Sequence, residues 1–207
     1  MSSRSENLIA VLKKYLPEGV EDYCHDILWQ YGIQLHIKKP RKTKLGDYRP
    51  PRNGEAHRIS VNNDLNQYAF LLTFLHETAH LVNFEKRGYK VQPHGKEWKQ
   101  EFQLISDPVI EKSIFPKDVF SALRNYLNNP SASSCSDANL IRVLKRYDKN
   151  SQNLIFVESV QNGCKFQTSD GRIFIKGEKL RSRYKCIEVL TGKFYFVPGL
   201  MEVEPYL

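Results

Sequence analysis

Residues 64–88 read DLNQYAFLLTFLHETAHLVNFEKRG, and this stretch determines more of the predicted fold than any other. Its apolar residues recur at the spacing of a broad helical face, so we predict one long helix over residues 65–86. Asp64 and Gln67 form a capping box at the start of this helix, and Gly88 marks its end. A face this broad is expected to be buried.

The same helix carries the run His76-Glu77-Thr78-Ala79-His80, in which two histidines are four residues apart. Residues i and i+4 lie on one face of a helix, so both imidazoles can reach one metal ion. Glu77 is angled toward the same edge, where it can deprotonate a metal-bound water rather than bind the metal. The pattern predicts a metal centre with Glu77 as general base. The alternative is two structural histidines with a coincidental glutamate.

A catalytic zinc site needs three protein ligands and an open position, so a third ligand must come from elsewhere. His94, in a loop before the next predicted helix, is the first candidate. Glu97 and Glu101 on that following helix are the alternatives, because carboxylates also bind zinc. Three imidazoles favour zinc over harder ions, with one Zn²⁺ per chain. The other histidines are interpreted as structural or exposed: His25, His36 and His57.

The sequence on either side of the long helix predicts a mixed α+β fold. Helical spacing of apolar residues predicts helices over residues 6–16, 20–31, 96–105 and 116–127, and Pro108 is expected to end the third. Apolar residues alternate with polar ones, or β-rich runs occur, in three predicted strands over residues 33–37, 43–49 and 57–62. The last two strands flank the turn sequence PPRNG.

The composition changes after residue 128. Residues 129–142 are small and polar, as in a linker. Beyond them lie five short β-rich runs separated by turn sequences, over residues 154–160, 165–168, 172–176, 184–190 and 193–197. We therefore predict a first domain over residues 1–128, a polar linker over 129–142, and a small all-β barrel or curled sheet over 143–207.

Residues 44–98 resemble the SprT-like family, which includes the Spartan-type proteases of DNA–protein crosslinks. The resemblance rests on KLGDYRPP, HRISVN and LLTFLHETAHL, followed by HGKEW. It implies a compact, zincin-like helical metallopeptidase domain with a small antiparallel sheet. It also implies that His76, His80 and His94 bind zinc, that Glu77 is the general base, and that Trp98 packs against the His94 loop.

The C-terminal region departs from the pattern of this family. Many SprT-like proteins carry a zinc ribbon with paired CxxC motifs after the protease domain. Here Cys164 and Cys186 stand alone, too few for a four-cysteine site. This region is therefore expected to be a metal-free barrel or a degenerate ribbon-like sheet.

The net charge of +8 favours an anionic partner, and the basic residues cluster in two segments. Residues 38–58 hold eight basic residues against two acidic ones, and residues 172–193 hold seven against two. Basic residues near aromatic ones suit phosphate contact and base stacking, although a solvated sheet face is the alternative. The candidate contacts to nucleic acid are Lys38, Lys39, Arg41, Lys42, Arg181 and Arg183.

Two observations bear on the compartment. No apolar run approaches the roughly 18 residues that span a bilayer, and the first residues lack a signal-peptide core. The four cysteines form no CxxC pair, which is typical of free thiols in a reducing compartment. We expect a soluble cytoplasmic protein without a membrane partner.

The sequence thus favours a zinc endopeptidase that acts on protein substrates, with DNA as a further candidate partner. The alternative is a non-catalytic zincin scaffold that binds nucleic acid or protein. A third reading is a metal-dependent hydrolase of another substrate class, since a metal-activated water is chemically general.

Overall fold

The computed structural model describes residues 3–41, 43–52, 54–90, 92–128, 137–149 and 153–206. The chain divides into two compact units, Met1–Asp148 and Lys149–Leu207. The described residues form a mixed α+β structure with six α-helices and two sheets. None of the helices among the described residues has the length and apolar character that a membrane crossing needs.

The first unit contains all six helices and the smaller sheet. The helices are α1 (Ser3–Tyr15), α2 (Glu21–Gln30), α3 (Gln67–Arg87), α4 (Lys96–Glu111), α5 (Lys117–Asn128) and α6 (Ala138–Lys145). The strands are β1 (Gln34–Lys38), β2 (Gly46–Arg49) and β3 (Arg58–Asn62). Helix α3 lies at the centre of this unit, with 15 of its 21 residues buried. The helix that the sequence predicted over residues 65–86 is therefore the core element of the unit.

The start of α3 differs from the predicted capping box. Asn66, rather than Asp64, is the N-cap, and its Oδ1 accepts hydrogen bonds from the backbone N–H groups of Tyr68 and Ala69. The Asn66 Nδ2 donates to the Leu144 carbonyl oxygen at 2.9 Å. The same side chain thus caps α3 and connects it to α6, a tertiary contact that the local sequence does not reveal.

Helix α4 continues through Pro108 to Glu111, although the sequence predicted an end at residue 105. Proline lacks the N–H that would bond to the carbonyl four residues earlier, which weakens a helix interior. Burial offsets this cost, because Val109 beyond the proline is fully buried together with Trp98 and Phe102.

The sheet of the first unit has the order β1-β3-β2. Strand β2 pairs antiparallel with β3, but β1 pairs parallel with β3, so the expectation of an antiparallel sheet is wrong for β1. The chain reaches β2 before β3, and β2 occupies the other edge of β3. Ile59 and Val61 of β3 are fully buried on the face that carries α3, and alternate residues lie on the opposite face.

The second unit is all-β, as the sequence predicted. Its strands are β4 (Ile155–Phe156), β5 (Lys165–Gln167), β6 (Ile173–Leu180), β7 (Arg183–Glu188), β8 (Phe194–Pro198) and β9 (Glu202–Tyr206). They form one open sheet in the order β4-β9-β5-β6-β7-β8, with β4 and β8 at its edges. Cys186 lies in the core of this unit and Cys164 is exposed; both are free thiols.

The division between the units lies at Lys149, whereas the sequence placed the β-rich domain at 143–207. Helix α6 occupies the end of the predicted linker, 129–142, and the first residues of that domain. Leu140, Val143 and Leu144 of α6 belong to the core of the first unit, so this helix is held by its apolar face. Residues 129–136 of the linker lie outside the described residues.

Candidate metal centre

Helix α3 places the two histidines of the HETAH run one above the other. His76 is buried and His80 is half-buried, and their Nε2 atoms are 3.2 Å apart. The helix begins at the Asn66 cap and ends at Gly88, which has a positive φ of 67°. Both ends are therefore fixed by local chemistry, and the two rings lie in its rigid middle.

His94 reaches the same point from the loop before α4. Its φ is 60°, in the left-handed region that few residues other than glycine adopt. Gly95 follows as the N-cap of α4, and its N–H donates to the Gln92 carbonyl at 3.0 Å. This tight turn directs the His94 ring toward α3.

The three imidazoles converge through their Nε2 atoms. The His94 Nε2 lies 3.1 Å from that of His76 and 2.9 Å from that of His80. Nitrogen ligands of a tetrahedral zinc at 2.0–2.1 Å are about 3.3 Å from one another, close to these separations. The three histidines therefore form a group that could hold a metal ion, and its all-imidazole donor set is compatible with zinc.

Trp98 and Phe102 of α4 form the wall of this cluster. The Trp98 ring centroid is 4.6 Å from that of His76, 5.3 Å from that of His80 and 4.7 Å from that of His94. Phe102 stacks on Trp98 at 5.1 Å, and both are fully buried. Packing on all three rings restricts their rotation, so the tryptophan holds the cluster in place.

The two carboxylates considered as alternative third ligands are positioned differently. Glu101 is buried and pairs with Lys86 at 2.7 Å and with Arg87 at 3.0 Å, which connects α4 to the end of α3. These cations hold the pKa of Glu101 below its usual value, against the opposing effect of its burial. Among the described residues, the cluster that could hold a metal includes neither Glu101 nor Glu97.

Glu77 is buried beside the histidines and close to strand β2. Burial, and then the charge of Asp47, raise its pKa from 4.5 to about 7, while a hydrogen bond from the Tyr48 backbone opposes this shift. A carboxyl group with a pKa near neutrality can both accept and release a proton at physiological pH. Its environment therefore suits proton transfer.

Gly46 allows β2 to approach this carboxylate. A Cβ atom at position 46 would lie 2.6 Å from Thr73 Cγ2 and 2.7 Å from Glu77 Oε1, distances that real side chains do not tolerate. Only glycine therefore fits between β2 and α3 at this level. We did not predict the roles of Gly46 and Tyr48 from the sequence, where the only signal is their place in the KLGDYRPP segment beside a strand.

Acidification is expected to destabilise the metal-free protein. Burial, and then the neighbouring imidazoles, lower the pKa of His76 to about 3 and that of His80 to about 4, from 6.5. Between pH 6.5 and about 4, these two histidines bind more protons in the unfolded chain than in the folded one. The free energy of unfolding therefore falls as the pH falls below 6.5.

Glu77 acts with the opposite sign. The pKa of Glu77 is raised in the folded chain. Its contribution to the stability of the fold is therefore present below pH 4.5 and is lost as the pH rises through about 7. In Glu77→Gln the loss of stability between pH 6.5 and 4.5 should therefore be steeper than in the parent. Urea unfolding of chelator-treated protein across this range measures both slopes. A shallower slope in the variant would contradict the assignment.

The predicted nucleic-acid contacts are distributed over both units. Lys38 and Lys39 are exposed at the end of β1, and Arg181 and Arg183 are exposed around the turn between β6 and β7. Lys42 lies outside the described residues. The half-buried Arg41 donates to three neutral acceptors of the first unit: Asn62 Oδ1 at 2.7 Å, Ser60 Oγ at 3.0 Å and the Leu45 carbonyl at 3.3 Å.

The mixed α+β fold and the three-histidine cluster define a protein whose central helix carries a site that could hold a metal ion. Residues 16–117 match the model of the SprT-like family, and this part of the chain belongs to that family. The match contains α2, the three-stranded sheet, α3, His94 and α4. No curated protein and no solved structure matches the chain significantly.

Proposed function

We propose that this protein is a zinc-dependent endopeptidase with a zincin-like first unit. The observation that carries the proposal is the convergence of three imidazole Nε2 atoms next to a buried carboxylate. A structural metal site would use four protein ligands and would not need a base. Among the described residues the cluster offers three ligands, so a metal ion held there would have a fourth position for substrate or water. Glu77 has an environment that suits proton transfer.

A zinc ion held by His76, His80 and His94 would polarise the scissile carbonyl and acidify a water molecule. Glu77 takes a proton from the attacking water and delivers it to the nitrogen of the leaving amine. The carbon–nitrogen bond breaks, and the products are a carboxylate and an amine. The Tyr48 N–H orients the Glu77 carboxylate during this transfer.

An extended protein segment is the substrate that suits this site. Strand β2 lies at one edge of the three-stranded sheet and contacts Glu77 through Gly46 and Tyr48. An edge strand can pair with an extended peptide through backbone hydrogen bonds, which would place the peptide beside the histidines without requiring a particular side chain.

Zinc-loaded protein should cut an unfolded protein substrate such as casein into discrete fragments. A chelator should stop this cleavage, and added zinc should restore it. Cleavage that persists after complete zinc removal, or activity on small esters without activity on peptides, would overturn the proposal. The second result would favour a hydrolase of another class.

We further propose that single-stranded DNA is a partner, bound by the second unit. On the edge strand β8, the side chains of Phe194 and Phe196 are 58% and 54% exposed. Alternate residues of a strand lie on the same face, about 6.7 Å from each other. This spacing allows Phe194 and Phe196 to stack with two successive bases. Lys185 of β7 pairs with Phe196, and its Nζ lies 4.2 Å from the Phe194 ring centroid. Arg183 lies on the same face and can contact phosphates.

Phe196→Ala is expected to weaken the binding of single-stranded DNA by roughly five- to a hundredfold, the range for the loss of one stacked base. Trp29→Ala is the matched control, because Trp29 is an exposed aromatic residue of the first unit. Fluorescence anisotropy with a labelled oligonucleotide measures both, and affinity should fall steeply with added salt. Equal affinities of Phe196→Ala and the parent would remove this surface from the proposal.

The second candidate function is a zincin scaffold that binds DNA or protein without catalysis. It is supported by the exposed face of β7 and β8, which needs no peptidase activity. The proposal of a peptidase is preferred because an idle site has no need of Glu77 as a base.

We also propose that the protein is cytoplasmic, because a reducing compartment suits the free thiols of Cys24, Cys164 and Cys186.

A further inference from the structure

A second polar site lies on the face of the three-stranded sheet that is turned away from α3. There the side chains of all three strands surround a cavity of about 210 Å³. The basic and polar residues that line it are His36, Lys38, Arg41, Arg49, Arg58 and Ser60. Its volume is below the roughly 300–1,000 Å³ of pockets for drug-sized ligands, so it suits a small group. We call it the basic pocket.

The charge in the basic pocket is positive after its internal ion pairs are counted. Asp47 is its one acidic lining residue, and it pairs with both Lys44 and Arg49 at 2.8 Å. Arg58 pairs with Glu55 at 2.9 Å. Two lining cations have no carboxylate partner among the described residues, because Arg41 donates only to neutral oxygens and no ion pair involves Lys38.

A buried polar atom in the basic pocket has no partner. The Nε2 atom of His36 is buried and makes no hydrogen bond to any described residue, although His36 lines the cavity. A buried polar atom without a partner is unfavourable, so a ligand that bonds to it would be favoured. Ser60 lies opposite His36 in the β1–β3 register, and its hydroxyl can donate to the same ligand.

We propose that the basic pocket binds a phosphate-class oxyanion. Three guanidinium groups, an ammonium group, an imidazole and a hydroxyl line one small cavity, which matches the many acceptor oxygens of a tetrahedral anion. The site is separate from the metal centre, because α3 and its histidines lie on the other face of the sheet. It also stands independently of the proposed peptidase activity. The phosphate group can come from a free small molecule or from a nucleic-acid backbone.

Binding is tested on the full-length protein by following the His36 ring signal in NMR spectra. The protein is titrated with sodium phosphate and, in a parallel control, with sodium chloride at the same pH and ionic strength. The control is needed because non-specific charge effects depend on ionic strength. A saturable shift of the His36 signal with phosphate alone is expected. Because the signal reports the basic pocket itself, phosphate bound near the metal centre does not produce this result.

Two exposed lysines provide the matched variants. Lys38→Gln should weaken phosphate binding by roughly three- to tenfold, as expected for the loss of one exposed charge-assisted contact. Lys13→Gln, which removes the same charge from an exposed residue of α1 outside the basic pocket, should leave the affinity unchanged. Arg41 is left intact because its three hydrogen bonds support the fold. No saturable shift, or equal weakening in both variants, overturns the proposal.

The source of the phosphate group is resolved by competition. A single-stranded oligonucleotide without terminal phosphates and a nucleoside monophosphate are each added to the phosphate-bound protein. Displacement by the oligonucleotide supports an oxyanion site for a nucleic-acid backbone. Displacement by the nucleoside monophosphate alone supports a site for a free small phosphate compound.

Discussion

Replacement of Glu77 by glutamine is expected to lower the rate of peptide cleavage by about 10²- to 10⁴-fold, the usual contribution of a general base. Glutamine has nearly the same shape as glutamate but cannot take a proton from water. The variant should keep its zinc, since Glu77 is not one of the residues of the three-histidine cluster. Its neutral side chain suits the buried position and still offers an oxygen to the Tyr48 N–H.

Glu97→Gln is the matched control for this variant. Glu97 lies in the first turn of α4, close to His94 in sequence, and was the alternative to His94 as a ligand. Glu97→Gln is expected to keep both zinc and activity. Cleavage by Glu77→Gln at the rate of the parent would contradict the mechanism, and zinc loss in Glu97→Gln would contradict the ligand set.

Loss of one imidazole is expected to have the second large effect. Substitutions behind the ligands of a zinc site typically weaken metal binding by about 10- to 100-fold, so removal of a ligand itself should cost more than roughly 100-fold. We expect this in His80→Ala and in His94→Ala, measured by competition with a chromophoric chelator. His25→Ala, a histidine of α2 outside the cluster, should bind zinc as the parent does.

The two ligand variants test different parts of the metal centre. His80→Ala tests the pair on α3, and His94→Ala tests the ligand supplied by the loop. Full zinc affinity in His94→Ala would move the third ligand to another group, despite the 2.9 Å and 3.1 Å separations of the His94 Nε2 from its neighbours. Zinc loss in both variants would support the three-histidine centre.

The parts of the site that the sequence predicted are those encoded locally. The spacing of His76 and His80 fixes their common face, because helix geometry is the same in every protein. His94 could be named because a loop before a helix start can fold back across the helix that carries His76 and His80. The contact of Gly46 with Glu77 depends on how β2 packs on α3, and no local pattern reports such a contact.

The fold shows the same division between local and tertiary information. Helix α3 and strand β1 follow from periodicity, whereas the bond from the Asn66 side chain to α6 is a tertiary contact. Helix α6 lies where the polar composition predicted a linker, because a short apolar face packs into the core. Lys176 was counted among the basic residues of the C-terminal region, but it is 4% exposed and donates to the Glu158 and Val160 carbonyls.

Zinc X-ray absorption, together with elemental analysis, on the purified protein tests the three-histidine metal centre directly. We expect about one zinc per chain, with three imidazole nitrogens and one further light ligand at roughly 2.0–2.1 Å. A sulfur ligand, only two imidazoles, or no zinc after reconstitution would contradict a three-histidine metal centre built from His76, His80 and His94.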